Sequence, residues 1–351
     1  MTINIAKNLL ENAHEFSKRA SMDLSNEDYK FSLIHFCAAI EQILKARLVL
    51  EHWMLVIDKS EIDTAKLFEF QQGVNRTISA SSVLKRSINL FDNVNQSYVK
   101  CIDELFKERN KIMHFYRSKI KNSEEELGIV RLIFRSWYLT HKIIDTTEKF
   151  ESFKREFNLI NTEMLKFQEY LKVIFSENSV ELDNLEEAGN DVTYCEECGY
   201  PSFVGDDSDD LIKEGKCLVC AHEEIYIKIE CENCKMSNYL FSSHMQLLDL
   251  KCSNEDCGVT ITCDHNEILN ELEDIKDDPK HGRDYASCSE CDTQYCVGMF
   301  KSVWLCSNCL CVHDGITQCE FCGEYVTRYK EDSYLSGCGF CEGRLGYEGL
   351  N

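Results

Sequence analysis

Between positions 107 and 121 the chain gathers Arg109, Asn110, His114 and Tyr116 among Lys107, Lys111, Arg117, Lys119 and Lys121, against a single acid, Glu108. These residue types could cleave RNA without a metal. That reaction needs a base for the 2′-hydroxyl proton, an acid for the leaving oxygen and a cation for the charged phosphorane. Histidine exchanges protons near neutrality, and arginine offers phosphate oxygens a planar fork. The local charge of +5 suits a phosphate backbone and stands out in a chain of formal net charge −23. Five positions place Arg109 and His114 about 140° apart round a helix. One helix alone would build a poor site, whereas two copies packed across a dimer axis would bring both pairs into one cleft. The plainer reading is a solvated helix face, with His114 in the core, Tyr116 as a packing aromatic and Asn110 facing water.

The second chemistry is metal binding. Sixteen cysteines fall into eight knuckles. Cys195 and Cys198 pair with Cys217 and Cys220, and Cys231 and Cys234 with Cys252 and Cys257. Cys288 and Cys291 pair with Cys306 and Cys309, and Cys319 and Cys322 with Cys338 and Cys341. Seven knuckles are C-x2-C and one, "CSNEDC", is C-x4-C. Two thiolates on one tight turn bite a metal, and a second turn completes a tetrahedral site. Glycines behind knuckles, Gly199, Gly258 and Gly323, ease the turn. Four structural Zn2+ sites are expected. No catalytic metal is expected, because each quartet closes with sulfur and leaves no open position. Redox dithiols would need a βαβ context that is missing here. Cys263, Cys296, Cys311, His222, His265 and His313 read as spare, with Cys311 a competitor of Cys309.

These groups sit on a chain with two halves. Residues 1 to 180 carry 26 Lys+Arg against 25 Asp+Glu, and residues 181 to 351 carry 12 against 36. Nineteen of the 21 cysteines and both prolines lie in the second half. The first half reads as a helical bundle, with helices at about 3–22, 29–57, 80–92, 98–118, 124–150 and 155–176. Leu33, Phe36, Ile40, Ile43, Leu44 and Leu48 mark the apolar periodicity of the second, and serines head "SSVLKRSINLF" as caps. The expected fold is multidomain: an all-α domain at 1–180, an acidic linker at 181–193 and small β-rich ribbons at 194–224, 225–263, 285–313 and 314–351. An acidic linker or helix at 264–284 would separate ribbons two and three. Such short ribbons hold little apolar core, so metal would supply much of their folding free energy. No run approaches ~18 apolar residues, and "MTINIAKNLLENAHEF" does not read as a secretory signal. Cysteine-rich metal sites then suggest a reducing cytoplasm and no membrane partner. The acidic second half disfavours nucleic acid as its ligand and favours a protein partner or a second copy of the chain.

Arg109-Asn110-x-x-x-His114-x-Tyr116 resembles the R-x4-H-x-Y motif of HEPN-domain ribonucleases. "AAIEQILKARL" (38 to 48) resembles that family's early-helix segment, with Glu41 as its acid. The resemblance covers roughly residues 1 to 178 and leaves the cysteine-rich half outside. It implies a homodimer that cuts RNA (tRNA or mRNA) without a metal, leaves 2′,3′-cyclic phosphate ends and serves as a toxin or antiviral effector. Arg109 would bind phosphate, His114 would transfer protons, Asn110 would orient the pair and Glu41 would fix the basic residues. Tyr116 matches a position modified with AMP in one toxin branch, by a partner nucleotidyltransferase antitoxin. Glu41 is also readable as a salt-bridge partner of Lys45, four residues on. The alternative function is a non-enzymatic zinc-ribbon adaptor whose helical domain only dimerises.

Overall fold

The computed structural model describes residues 2–114, 123–206, 208, 210–243, 249–275, 285–328 and 330–348. The chain divides into two compact units, 1–179 and 180–351. The first is helical and the second is β-rich with clustered cysteines. No described helix is long and apolar enough to cross a membrane.

The helical unit is organised round its most apolar helix. It comprises α1 (Thr2–Ser25), α2 (Tyr29–Glu51), α3 (Leu67–Gln71), α4 (Ala80–Leu90), α5 (Gln96–His114), α6 (Ser123–Asp145), α7 (Glu151–Met164) and α8 (Gln168–Glu187), which runs past the unit boundary. All six α2 residues singled out by periodicity are fully buried, because α1, α4, α5 and α6 pack round it. Trp137 of α6 lies 5.5 Å from Phe36 of α2 and donates its indole N–H to Asn161 of α7 at 3.2 Å. Trp137 is 0 % exposed. Replacing Trp137 by Ala is expected to cost about 3–5 kcal/mol, read as a lower denaturation midpoint of the helical unit.

Local differences from expectation have identifiable causes. The helix expected to reach residue 57 ends at Glu51, where His52 turns to extended backbone and its Nδ1 accepts the Met54 N–H. Ser79 caps α4 by accepting from Ser82 N–H, two residues before the serines expected to do so. The helix expected at 155–176 is two helices. Phe167, at the break, packs 5.5 Å from Phe134, and Asn161 accepts from both Trp137 and Tyr170. The region expected as a linker from 181 is helical to Glu187, and β1 begins at Val192.

In the second unit the cysteine segments share sheets. β1 (Val192–Tyr194), β2 (Pro201–Gly205), β3 (Ile212–Cys217), β4 (Glu223–Glu230) and β5 (Ser237–Phe241) form one antiparallel sheet in that order. β4 therefore runs through the expected boundary at 224/225. β6 (Asp249–Lys251) and β7 (Thr260–Thr262) form a hairpin. α9 (His265–Asn270) follows, capped by Asp264, whose carboxylate accepts Asn266 N–H at 2.9 Å. A second sheet takes β8 (Ala286–Cys288), β9 (Thr293–Phe300), β10 (Val303–Cys306), β11 (Val312–His313), β12 (Thr317–Gln318) and β13 (Tyr325–Val326), in the order β11-β10-β9-β8-β13-β12. β8 and β13 pair in parallel, Val326 against Ser287, so the expected third and fourth ribbons are also joined. The short helices α10 (Ser333–Ser336) and α11 (Gly343–Glu348) follow.

The ribbons were expected to lack a core of their own, and they pool one. Ile212, Ile225, Ile227 and Leu240 of the first sheet pack with Leu305 and Leu310 of the third segment and with Ile268 and Leu272 of the 264–284 stretch. The described part of that stretch is thus core rather than a plain connector. On the other face, Gly205 opposite Gly215 leaves room for aromatic rings. A methyl group at Gly215 would stand 2.4 Å from the Phe203 ring.

Candidate functional site

The last two turns of α5 carry the described part of the arginine–histidine motif. Lys107, Asn110, Lys111 and His114 recur at three- and four-residue steps, so they share one face. With Glu104 and Glu108 of the same helix and Leu132 of α6 they line a surface groove of about 560 Å³, in which Lys107 pairs with Asp103 at 2.7 Å and Lys111 with Glu108 at 2.6 Å. His114 and Asn110 are exposed. Arg109 lies on the adjoining flank, half-buried, as the angular argument requires. Its Nε and Nη2 donate to Asn110 Oδ1 at 3.3 and 3.2 Å, and its guanidinium stands 5.2 Å from the centre of the Phe106 ring.

Glu41 of α2 reaches Arg109 and Lys45 together. Its Oε2 is 3.6 Å from Arg109 Nη1 and its Oε1 is 2.7 Å from Lys45 Nζ. Lys45 is buried and also donates to Thr77 Oγ1 at 3.0 Å. The two readings of Glu41 are therefore compatible in one geometry. The structure brings Arg109, Asn110 and Glu41 together and brings Asn110 and His114 to one groove. It does not bring Arg109 and His114 onto one face. Tyr116, Arg117, Lys119 and Lys121 lie outside the described residues. Lys107 and Lys111 entered the sequence reading only as charge; their spacing from His114, seven and three residues, was the pattern that could have placed them in the groove. Thr77 had no sequence pattern pointing to it.

Beneath this surface, Cys37 of α2 donates its thiol to the Leu105 carbonyl at 3.7 Å, and burial pushes its pKa up to about 12. Burial also raises the Cys101 thiol. Both are inert core residues.

The sixteen knuckle cysteines form the four expected quartets, and the sulfurs within each lie within 4.8 Å of one another. Metal–sulfur bonds of about 2.3 Å in a tetrahedron require sulfurs about 3.8 Å apart. The closest pairs are 3.6 Å in the first quartet, 3.5 and 3.8 Å in the second, and 3.8 Å in the third and fourth. None is disulfide-bonded. Each quartet could hold one metal ion. Neighbouring donors also point at the sulfurs: Ser202 Oγ lies 3.2 Å from Cys217 Sγ, and Asn233 Nδ2 donates to Cys257 Sγ at 3.2 Å.

A shared backbone turn builds the knuckles. In five of them the first cysteine's N–H donates to the carbonyl five residues on: Cys195 to Tyr200, Cys217 to His222, Cys231 to Met236, Cys306 to Cys311 and Cys319 to Glu324. The residue after the second cysteine adopts positive φ in seven knuckles. Glycine serves at Gly199, Gly258 and Gly323, but Ala221, Lys235, Asp292 and Leu310 do the same with a side chain. That conformation costs a non-glycine residue about 1–2 kcal/mol. Lys235, exposed at φ 62°, is expected to gain about 1 kcal/mol of stability on change to Gly. Gly199→Ala should lose a similar amount, since its added methyl meets nothing within 4 Å and only the backbone objects. Denaturant midpoints of the metal-loaded protein decide both.

The remaining donors are dispersed. His222 Nε2 pairs with Glu224 at 3.0 Å, His265 lies near Asp264, and Cys263 sits in the shared apolar core. Cys296 and His313 approach the third quartet. No protein-family model matches this chain, and no curated protein or solved structure matches it.

Proposed function

We propose that this protein is a metal-independent RNA endonuclease of the HEPN type, active as a homodimer in a toxin or antiviral role. The observation that carries the reading is the pairing of an exposed His114 in a lysine-bearing groove with an Arg109 anchored by Glu41. Lys107 and Lys111 would take the RNA backbone. His114 would accept the 2′-hydroxyl proton, the 2′-oxygen would attack phosphorus, and the 5′-oxygen would leave with a proton given by the protonated His114 of the second protomer. Arg109 would neutralise the phosphorane, and Asn110, already bonded to it, would hold its plane. Arg109 and His114 occupy different flanks of one helix, so the second protomer's motif helix would complete the cleft. Tyr116 would be the residue that a nucleotidyltransferase partner modifies.

The quartets would hold structural Zn2+ as ribbons. All-sulfur coordination leaves no position for substrate. The acidic half would bind protein rather than RNA and set partner choice, dimer geometry or inhibition. The competing reading, an adaptor whose helical unit only dimerises, draws on the same Glu41 contact, which already satisfies part of Arg109's charge.

The deciding experiment incubates zinc-loaded wild type and His114→Ala with total tRNA and mixed RNA in buffer freed of divalent ions. Cleavage by wild type alone, leaving cyclic phosphate ends, supports the nuclease. Intact RNA in both, with the dimer verified, moves the reading to the adaptor.

A further inference from the structure

The third quartet differs from the others in what surrounds it. Cys296, on β9, places its sulfur 3.5 Å from that of Cys306 at the end of β10. This is within the spacing that ligand sulfurs keep from one another in the four quartets. The strands are antiparallel neighbours, with Cys306 opposite Val297 and Ser307 N–H donating to the Cys296 carbonyl at 2.7 Å. The backbone therefore fixes the approach. Cys296 is 1 % exposed, and its sulfur also lies 3.2 Å from the Thr293 carbonyl oxygen. On the far side His313 of β11 brings Nε2 to 3.5 Å from Cys288 Sγ. Cys311 stands beside Cys309 in the same buried cluster, so six sulfurs and an imidazole crowd a site that needs four donors.

We propose that Cys296 is a reserve ligand of the third metal site, which takes over when the Cys306 thiolate is lost. The inference rests on the proposed zinc loading of the quartets. A turn about Cα–Cβ from one staggered position to the next carries a cysteine sulfur about 3 Å, enough to replace a neighbour at this distance. The exchange balances simply. The Cys306 sulfur–zinc bond is gone, the Cys296 S–H bond breaks with its proton passing to solvent, and a Cys296 sulfur–zinc bond forms. The site would then keep its ion in a chain whose Cys306 sulfur has been removed by substitution.

Zinc counted per chain on the full-length protein tests this, after release into a chromophoric chelator. Wild type is expected to carry four ions. Cys217→Ser, which breaks the first quartet, should carry at most three. Cys306→Ser should still carry four, and the double variant Cys306→Ser with Cys296→Ser at most three. In the cobalt-loaded Cys306→Ser protein, the third site should keep the sulfur-to-cobalt charge transfer of four thiolates. A Cys306→Ser chain with three ions or fewer overturns the proposal whether or not it folds, because a reserve ligand would have kept the site closed. Equal retention in the double variant also overturns it, since something other than Cys296 would then fill the site. Fewer than four ions in wild type overturns the zinc reading itself, and the inference with it.

Discussion

Stripping the proposed zinc ions from this protein is expected to unfold residues 192–348 and leave the helical unit standing. A structural zinc site contributes on the order of 10 kcal/mol of folding free energy, comparable with the whole stability of a typical domain. The effect should spread beyond the site removed. Cys217 and Cys220 precede β4, Cys231 follows its end, and Ile225 and Ile227 on that strand belong to the core shared with the third segment. Cys217→Ser should therefore loosen the second quartet and that core as well as the first. Hydrogen exchange read by mass spectrometry separates the halves. In chelator, amides of β2–β5 and β8–β10 should exchange at once, while those of α2 and α6 stay protected. Persistent protection of the strands without metal would show that the apolar core alone holds this unit.

On the proposed nuclease reading, the largest expected effect on activity belongs to His114. Loss of a positioned proton-transfer group typically slows a reaction 10²–10⁴-fold, and His114→Ala should do so with little change in stability, because the side chain is exposed. Arg109→Ala should cost about 10²–10³-fold through the lost phosphorane contact. Lys111→Ala should instead weaken RNA binding and reduce the salt slope by about one. Single-turnover cleavage at several salt concentrations separates these effects. Wild-type rates in His114→Ala would remove His114 from the chemistry and with it the nuclease reading.

How far the residues announce the structure depends on the range of the interactions involved. Helix α2 was readable because burial on almost every side writes apolar residues at three- and four-residue steps. The quartets were readable because chelation fixes spacing within a turn. The break between α7 and α8 was not, since no glycine or proline marks it; Asn161 and Phe167 act through partners on α6 and α8. Nor was the fusion of the ribbons. Strand pairing across β4, and β8 with β13, joins segments that cysteine spacing alone separates. At the basic motif, helical angle placed Arg109 and His114 on different flanks, while the salt bridge from Glu41 to Arg109 depended on how α2 and α5 pack.

The unbroken β4 also bears on how such a chain can be inherited. Four cysteine quartets in a row invite comparison with beads that duplication adds or deletion removes. Cutting after Cys220 would instead orphan half a sheet and expose Ile225, Ile227 and Leu240. Cutting between the last two quartets would unpair β8 from β13. Recombination can therefore move residues 192–348 between proteins only as one indivisible module, and drift within it is tied to partners two quartets away.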